Sequence, residues 1–134
     1  MDSEILKLNL LTSILNQLPK GCILWVGDYI YSAFEDGWLL KLKDFLTKKE
    51  DGWYYFDLSI ECINYLEKEL LESPCFINYF CHYGIFHPER KLLQVLDGCF
   101  FVIDLTFNIP EWLVQECGKR EISVNRDEVT KIGL

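Results

Sequence analysis

Ile5, Leu8, Leu11, Leu15 and Leu18 recur at steps of three and four, which is the period of one face of an α-helix. Ser3 stands where an N-cap is wanted, and Pro19 and Gly21 stop the pattern, so the spacing predicts an amphipathic helix at the start of the chain. Residues 22–26 form a short continuous apolar run, the pattern of a strand buried on both faces. Gly27 and Asp28 suit a two-residue turn, which predicts a hairpin partner over residues 29–34. In residues 38–46, Trp38, Leu39, Leu42, Phe45 and Leu46 share a helical face. The alternation from Leu40 to Lys43 is also compatible with a strand entered through an Asp36–Gly37 turn, and the helix satisfies more of the apolar positions.

Residues 47–52 are polar and read as an exposed loop. Residues 53–57 are aromatic enough for a strand. Ser59 then caps a helix running to about residue 72, with Ile60, Ile63, Leu66 and Leu70 on one face and Pro74 closing it. Residues 76–86 read as a long aromatic strand, Pro88 and Glu89 as a turn, and residues 91–96 as a second strand. Asp97–Gly98 is a type I′ signal leading into a third strand over residues 99–105. Pro110 opens a short helix over residues 111–117, ended by Gly118, and residues 121–125 suit an edge strand, with a loosely held tail from Asp127. Without linker, repeat or low-complexity stretch, the pattern predicts a single α+β domain over residues 1–134. Its expected core is a mostly antiparallel sheet with a three-strand meander and helices packed on one face.

Composition narrows what such a domain does. The 134 residues are 50% hydrophobic and 15% aromatic, which excludes a disordered chain, and no apolar run reaches the roughly eighteen residues of a membrane span. Thirteen basic residues against 21 acidic ones give a net charge of −8, which repels phosphates and disfavours direct nucleic-acid binding. The charge is localised: residues 51–117 hold eleven acids against three bases, while the flanking segments nearly cancel. Asp2 and Glu4 occupy the place of a secretory signal's positive charges, so a cytoplasmic location is expected. The six cysteines lie in apolar settings and read as free core thiols.

Candidate chemistry is sparse. Cys75, Cys81, His82 and His87 lack the paired short spacings of a structural zinc site, and strand alternation would turn Cys81 and His82 to opposite faces; no metal or other cofactor is expected. No Gly-rich phosphate loop is present, and Lys48–Lys49 stands without interleaved aromatics or further bases, followed at once by Glu50 and Asp51. Glu61, Glu67, Glu69 and Glu72 are what the solvated face of a helix carries. Acids at element ends, beside Trp53, Tyr54, Tyr55, Phe107 and Trp112, suit an acidic rim around aromatic anchors, the composition of a protein-recognition patch. The competing reading is that these rings are simply core. The contact candidates are Asp57, Asp97, Asp104, Glu111, Trp112 and Glu116.

A small, acidic, aromatic-rich chain without a catalytic set, with stretches such as Asp51-Gly52-Trp53-Tyr54-Tyr55-Phe56-Asp57, resembles the bacterial immunity proteins of contact-dependent and other polymorphic toxin systems. The resemblance implies a non-catalytic protein that neutralises a cognate toxin, such as a basic nuclease, by covering its active site. The alternatives are an acidic mimic of nucleic acid that antagonises a nuclease, a small enzyme using His82 or His87 with a carboxylate, and a subunit of a larger assembly.

Overall fold

In the computed structural model, which describes residues 2–88 and 90–127, eleven α-helices and strands build one seven-stranded sheet against a layer of helices. They run α1 (Ser3–Leu15), β1 (Ile23–Gly27), α2 (Ile30–Glu35), β2 (Leu46–Glu50), β3 (Trp53–Asp57), α3 (Ile60–Glu72), β4 (Tyr83–His87), β5 (Arg90–Leu96), β6 (Phe100–Ile103), α4 (Glu111–Lys119) and β7 (Ser123–Arg126). Two 3₁₀ helices, Leu40–Phe45 and Pro74–Tyr79, complete the helical layer. The sheet order is β2-β3-β1-β4-β5-β6-β7, antiparallel throughout except for β6 and β7. That last pair is parallel because α4 carries the chain back across the sheet between them, as a parallel neighbour requires. The predicted α+β class and the β4-β5-β6 meander are therefore present. Among the described residues no helix is long and apolar enough to cross a membrane.

The helical side of the sheet is the core. Phe56, Leu24, Ile85, Leu93 and Ile103 lie opposite one another across β3, β1, β4, β5 and β6, and all are buried. Helix α1 packs against α3, α4 and the 3₁₀ helix Pro74–Tyr79, burying Leu6, Leu8, Leu10, Leu11, Ile14 and Leu15 on several sides at once. Its cap is Asp2 rather than the expected Ser3: the Asp2 carboxylate accepts the Glu4 amide at 2.8 Å. Helix α3 begins as expected, with Ser59 accepting the Cys62 amide at 3.2 Å.

Four segments differ from expectation. Residues 29–34 do not return as a strand but form α2, whose Ile30, Ala33 and Phe34 recur at helical spacing and are all buried. Residues 47–50 are part of β2, with every side chain exposed; the main-chain ladder to β3 holds it, and such a strand has no apolar alternation to announce it. The helix expected over residues 38–46 is instead the tighter 3₁₀ helix Leu40–Phe45, entered through Leu39 at a left-handed φ of 53°. The long aromatic strand is divided. Phe76, Ile77 and Phe80 are buried along and just after the 3₁₀ helix, a bend follows at Cys81 and His82, and only Tyr83–His87 is strand. Smaller shifts occur at the other ends: α4 continues through Gly118 to Lys119, and β6 is shorter than residues 99–105. Glu89 of the expected Pro88–Glu89 turn, and the tail after Asp127, lie outside the described residues.

Cys22, Cys62 and Cys117 are buried free thiols, and burial pushes the Cys62 thiol up to about 12, so it stays protonated and inert at neutral pH. The Tyr83 ring is fully buried, edge-on to Phe80 and Phe101, and among the described residues its hydroxyl has no hydrogen-bond partner. An orphaned buried hydroxyl costs stability. Tyr83→Phe is accordingly expected to raise the unfolding free energy by about 1 kcal/mol, read as a higher denaturant midpoint at unchanged slope. A loss of stability would mean that the hydroxyl is satisfied after all.

Candidate functional site

Side chains alternate across a strand, so the residues between the core positions share the opposite face of the sheet. Lys48, Tyr55, Trp25, Gly84, Gln94, Val102 and Asn125 form one continuous row over all seven strands. The helices lie on the other side, which leaves this face without a covering layer. Residues 22–26 are accordingly not a strand buried on both faces: Leu24 and Val26 are buried, whereas Ile23, Trp25 and Gly27 are partly exposed.

The centre of the bare face is aromatic. Trp25 stacks with Trp53 at 5.9 Å and meets Phe86 edge-on at 6.4 Å, and Tyr55 meets Phe86 edge-on at 6.5 Å. The Trp25 ring lies across Gly84 so closely that a Cβ there would fall 1.1 Å from its Cζ3. A glycine in a strand interior often marks such close approach, and here it lets an indole lie against the backbone. Lys48 sits 4.6 Å from the centre of the Tyr55 ring, a cation–π contact at the β2 edge. Leu96 and Phe100, paired across β5 and β6, are 40% and 48% exposed and extend the apolar surface toward β7.

Beside the tryptophans is an open depression of about 520 Å³ lined by Trp25, Trp53, Tyr55, His82, Lys91, Gln94 and Leu96. The Gln94 side chain lies in its wall, 8% exposed, with a buried amide oxygen that has no hydrogen-bond partner among the described residues. A buried acceptor left unpaired is costly, and a donor brought by a bound molecule would relieve it.

At the end of this face the β5–β6 turn folds onto the bend before β4. Asp97 and Gly98 adopt φ of 53° and 66°, as a type I′ turn demands, and the Gly98 amide donates to the Cys81 carbonyl at 2.6 Å. The Asp97 amide donates to His82 Nδ1 at 3.1 Å, and the Asp97 carboxylate lies 3.4 Å from His82 Nε2. Cys81, His82 and Asp97 thereby come within 4.8 Å of one another. The expected separation of Cys81 from His82 does not hold, because residues 81 and 82 form a bend rather than a strand. Even so, both imidazole nitrogens of this trio are already engaged. An Nδ1 lone pair that accepts an amide proton places the imidazole's own proton on Nε2, facing the carboxylate, so neither nitrogen has a lone pair for an ion. Cys75 and His87 do not join the cluster.

The six acidic and aromatic candidates divide into three places. Asp57 lies at the end of β3 opposite Ile23, on the parity of Tyr55, and Asp97 is in the turn just described, so both border the bare face. Glu111, Trp112 and Glu116 belong to α4, which packs on α1 in the helical layer. There Trp112 is half exposed, and Lys119, 3.1 Å from Glu116, holds that carboxyl below its usual range. Asp104 is no rim residue: it is 2% exposed. Its carboxylate accepts the Thr106 amide and hydroxyl at 3.2 and 2.5 Å and faces Arg90 at 3.4 Å. Of the aromatic candidates, Tyr54 and Phe107 are core, while Trp53 and Tyr55 are on the bare face.

Trp25, Phe86, Gln94, Leu96 and Phe100 were not among the candidates. Gly84 was the available signal, an isolated glycine within an aromatic run. Comparison with protein-family models, with curated proteins and with solved structures returns no match to this chain.

Proposed function

We propose that this chain is a non-catalytic binding protein of the immunity or antitoxin kind. It acts in the cytoplasm and neutralises a cognate toxin, a basic nuclease by preference, by laying its bare sheet face over the toxin's active site. The observation that carries this reading is the uncovered aromatic face itself: Trp25, Trp53 and Tyr55 are the residue types that anchor protein interfaces, held on a rigid sheet. Asp57 and Asp97 at its border and the net charge of −8 favour encounter with a basic enzyme. His82, the histidine beside this face, is occupied by Asp97, which leaves the surface suited to contact rather than proton transfer.

The test is binding to the product of a toxin-like reading frame adjacent to this gene, together with protection of cells that express it. The double variant Trp25→Ala/Trp53→Ala should weaken the complex by at least about thirtyfold, the loss of a hot-spot pair, while Trp112→Ala on α4 leaves it unchanged. Asp57→Asn should mainly slow association, by a few-fold at low salt, and flatten its salt dependence. Equal affinity for the wild type and the double tryptophan variant would refute the assignment of the face. Absence of binding at low salt would refute the function.

A further inference from the structure

The helical side of the molecule carries a second aromatic site, away from the bare sheet face. Tyr29 at the start of α2, Trp38 in the connection after it, and Phe76 and Tyr79 of the 3₁₀ helix Pro74–Tyr79 surround a cavity of about 330 Å³, with Cys75 and Asn78 at its margin. The rings form a connected set: Tyr29 to Tyr79 at 6.1 Å, Tyr79 to Phe76 at 6.3 Å, and Phe76 to Trp38 at 5.5 Å. Tyr29 is 58% and Trp38 49% exposed, so two of the four walls are open to solvent.

Charge decides what such a cavity accepts. Among the described residues no lysine, arginine or histidine lines it, and the Tyr79 hydroxyl lies 3.4 Å from the Asp36 carboxylate. Elsewhere the chain's own lysines occupy aromatic faces: Lys43 over Phe34, Lys48 over Tyr55, and Lys49 over Tyr54 and Tyr31. Among the described residues none of these contacts involves the four cavity rings. Aromatic rings gathered near a carboxylate, in an acidic protein, attract a cation. The kind of cation follows from the lining, which is mainly aromatic carbon. A primary ammonium would have to give up the water bound to its three N–H groups to lie against such walls, whereas a methylated ammonium carries its charge beneath methyl groups and gives up far less.

We propose that the Tyr29–Trp38–Phe76–Tyr79 cavity binds a methylated ammonium group, either a choline-type small molecule or a methylated lysine side chain. The site goes beyond the function proposed above and does not depend on it. Titration of the full chain with choline, followed at the Trp38 indole N–H by NMR, is the test, with 3,3-dimethylbutan-1-ol as the neutral probe of the same shape. Choline should bind with a dissociation constant on the order of 1 mM and at least about tenfold more tightly than the alcohol, because only the cation gains from the ring quadrupoles. Tyr29→Leu, a change at an exposed position, should weaken choline about fivefold, Asp36→Asn about threefold, and Trp38→Leu more than tenfold. Trp25→Ala/Trp53→Ala should bind choline normally, which separates this site from the bare face. Acetyl-trimethyllysine amide binding much more tightly than choline would identify a side chain as the source, and the reverse order a small molecule. Equal binding of choline and the alcohol, or no saturable shift of Trp38 with either cation up to about 50 mM, would overturn the proposal.

Discussion

Gly84→Ala is expected to destabilise the protein by about 2–3 kcal/mol, the range for overpacking a close contact, although alanine is ordinarily the better strand residue. The added methyl would lie 1.1 Å from Cζ3 and 1.8 Å from Cη2 of Trp25, too close for a small adjustment, so the indole must leave the sheet. As it leaves, it loses its stacking on Trp53 and its edge contact with Phe86. The denaturant midpoint should fall, and tryptophan fluorescence of the folded state should shift to the red as Trp25 enters water. The decisive control is the same change in a Trp25→Ala background. With the ring gone the methyl has room, and Gly84→Ala should there be neutral or stabilising by up to about 0.5–1 kcal/mol. Similar losses in both backgrounds would show that Gly84 is required by something other than Trp25. The double-mutant cycle isolates the contact. The proposed binding surface depends on the same contact, so Gly84→Ala should also weaken partner binding about as much as Trp25→Ala does.

The second large effect concerns Asp104. Removing its carboxylate as Asp104→Ala should lower stability by about 3 kcal/mol, because the Thr106 amide and hydroxyl and the Arg90 guanidinium all lose their acceptor in a nearly closed site. The damage extends to the chain leading into α4. There the Arg126 guanidinium donates to the carbonyls of Asp104, Leu105 and Phe107, tying β7 to the same loop. Asp104→Asn, which keeps an acceptor oxygen, should lose about half as much. Arg90→Ala should lose no more than about 1 kcal/mol, since its side chain is 43% exposed and water replaces much of the ion pair. Urea denaturation orders the three variants. A loss as large for Arg90→Ala as for Asp104→Ala would place the cost in the ion pair instead of in the turn.

The helices that bury an apolar stripe and begin at a capping residue were legible in the sequence, α3 above all, with Ser59 ahead of Leu66 and Leu70, although Ile60, expected on the same face, is 70% exposed and Cys62 is buried in the first turn. So was the β5–β6 hairpin, because Asp97–Gly98 specifies a turn through its own backbone preferences. The failures were segments whose local signals pointed elsewhere. Gly27–Asp28 resembles a hairpin turn, yet Ile30, Ala33 and Phe34 find their burial only as a helix. In β2 the polar, lysine-bearing residues carry no pattern, and the strand exists because β3 offers an unpaired edge. Phe76, Phe80 and Tyr83 look alike along the chain, and only the packing of the 3₁₀ helix against α1 and α3 separates them into turn and strand.

Asp57 and Asp97 were readable as exposed acids at element ends, but Asp104, of the same type and equally at a strand end, is buried; its bonds to Thr106 two residues on are a local Asx turn, whereas the burial and the pairing with Arg90 are set by the long-range packing. By itself the sequence determined an acidic, aromatic-rich α+β chain with a meander and helices on one side. Which rings are left over was a tertiary decision. Period-two alternation says which residues of one strand share a face, but not which strands become neighbours. Trp25 meets Trp53 and Gly84 only because β1 inserts between β3 and β4, a pairing made by long-range register and core burial. That insertion, with all the helices drawn to the opposite side, makes scattered aromatic residues into one bare surface.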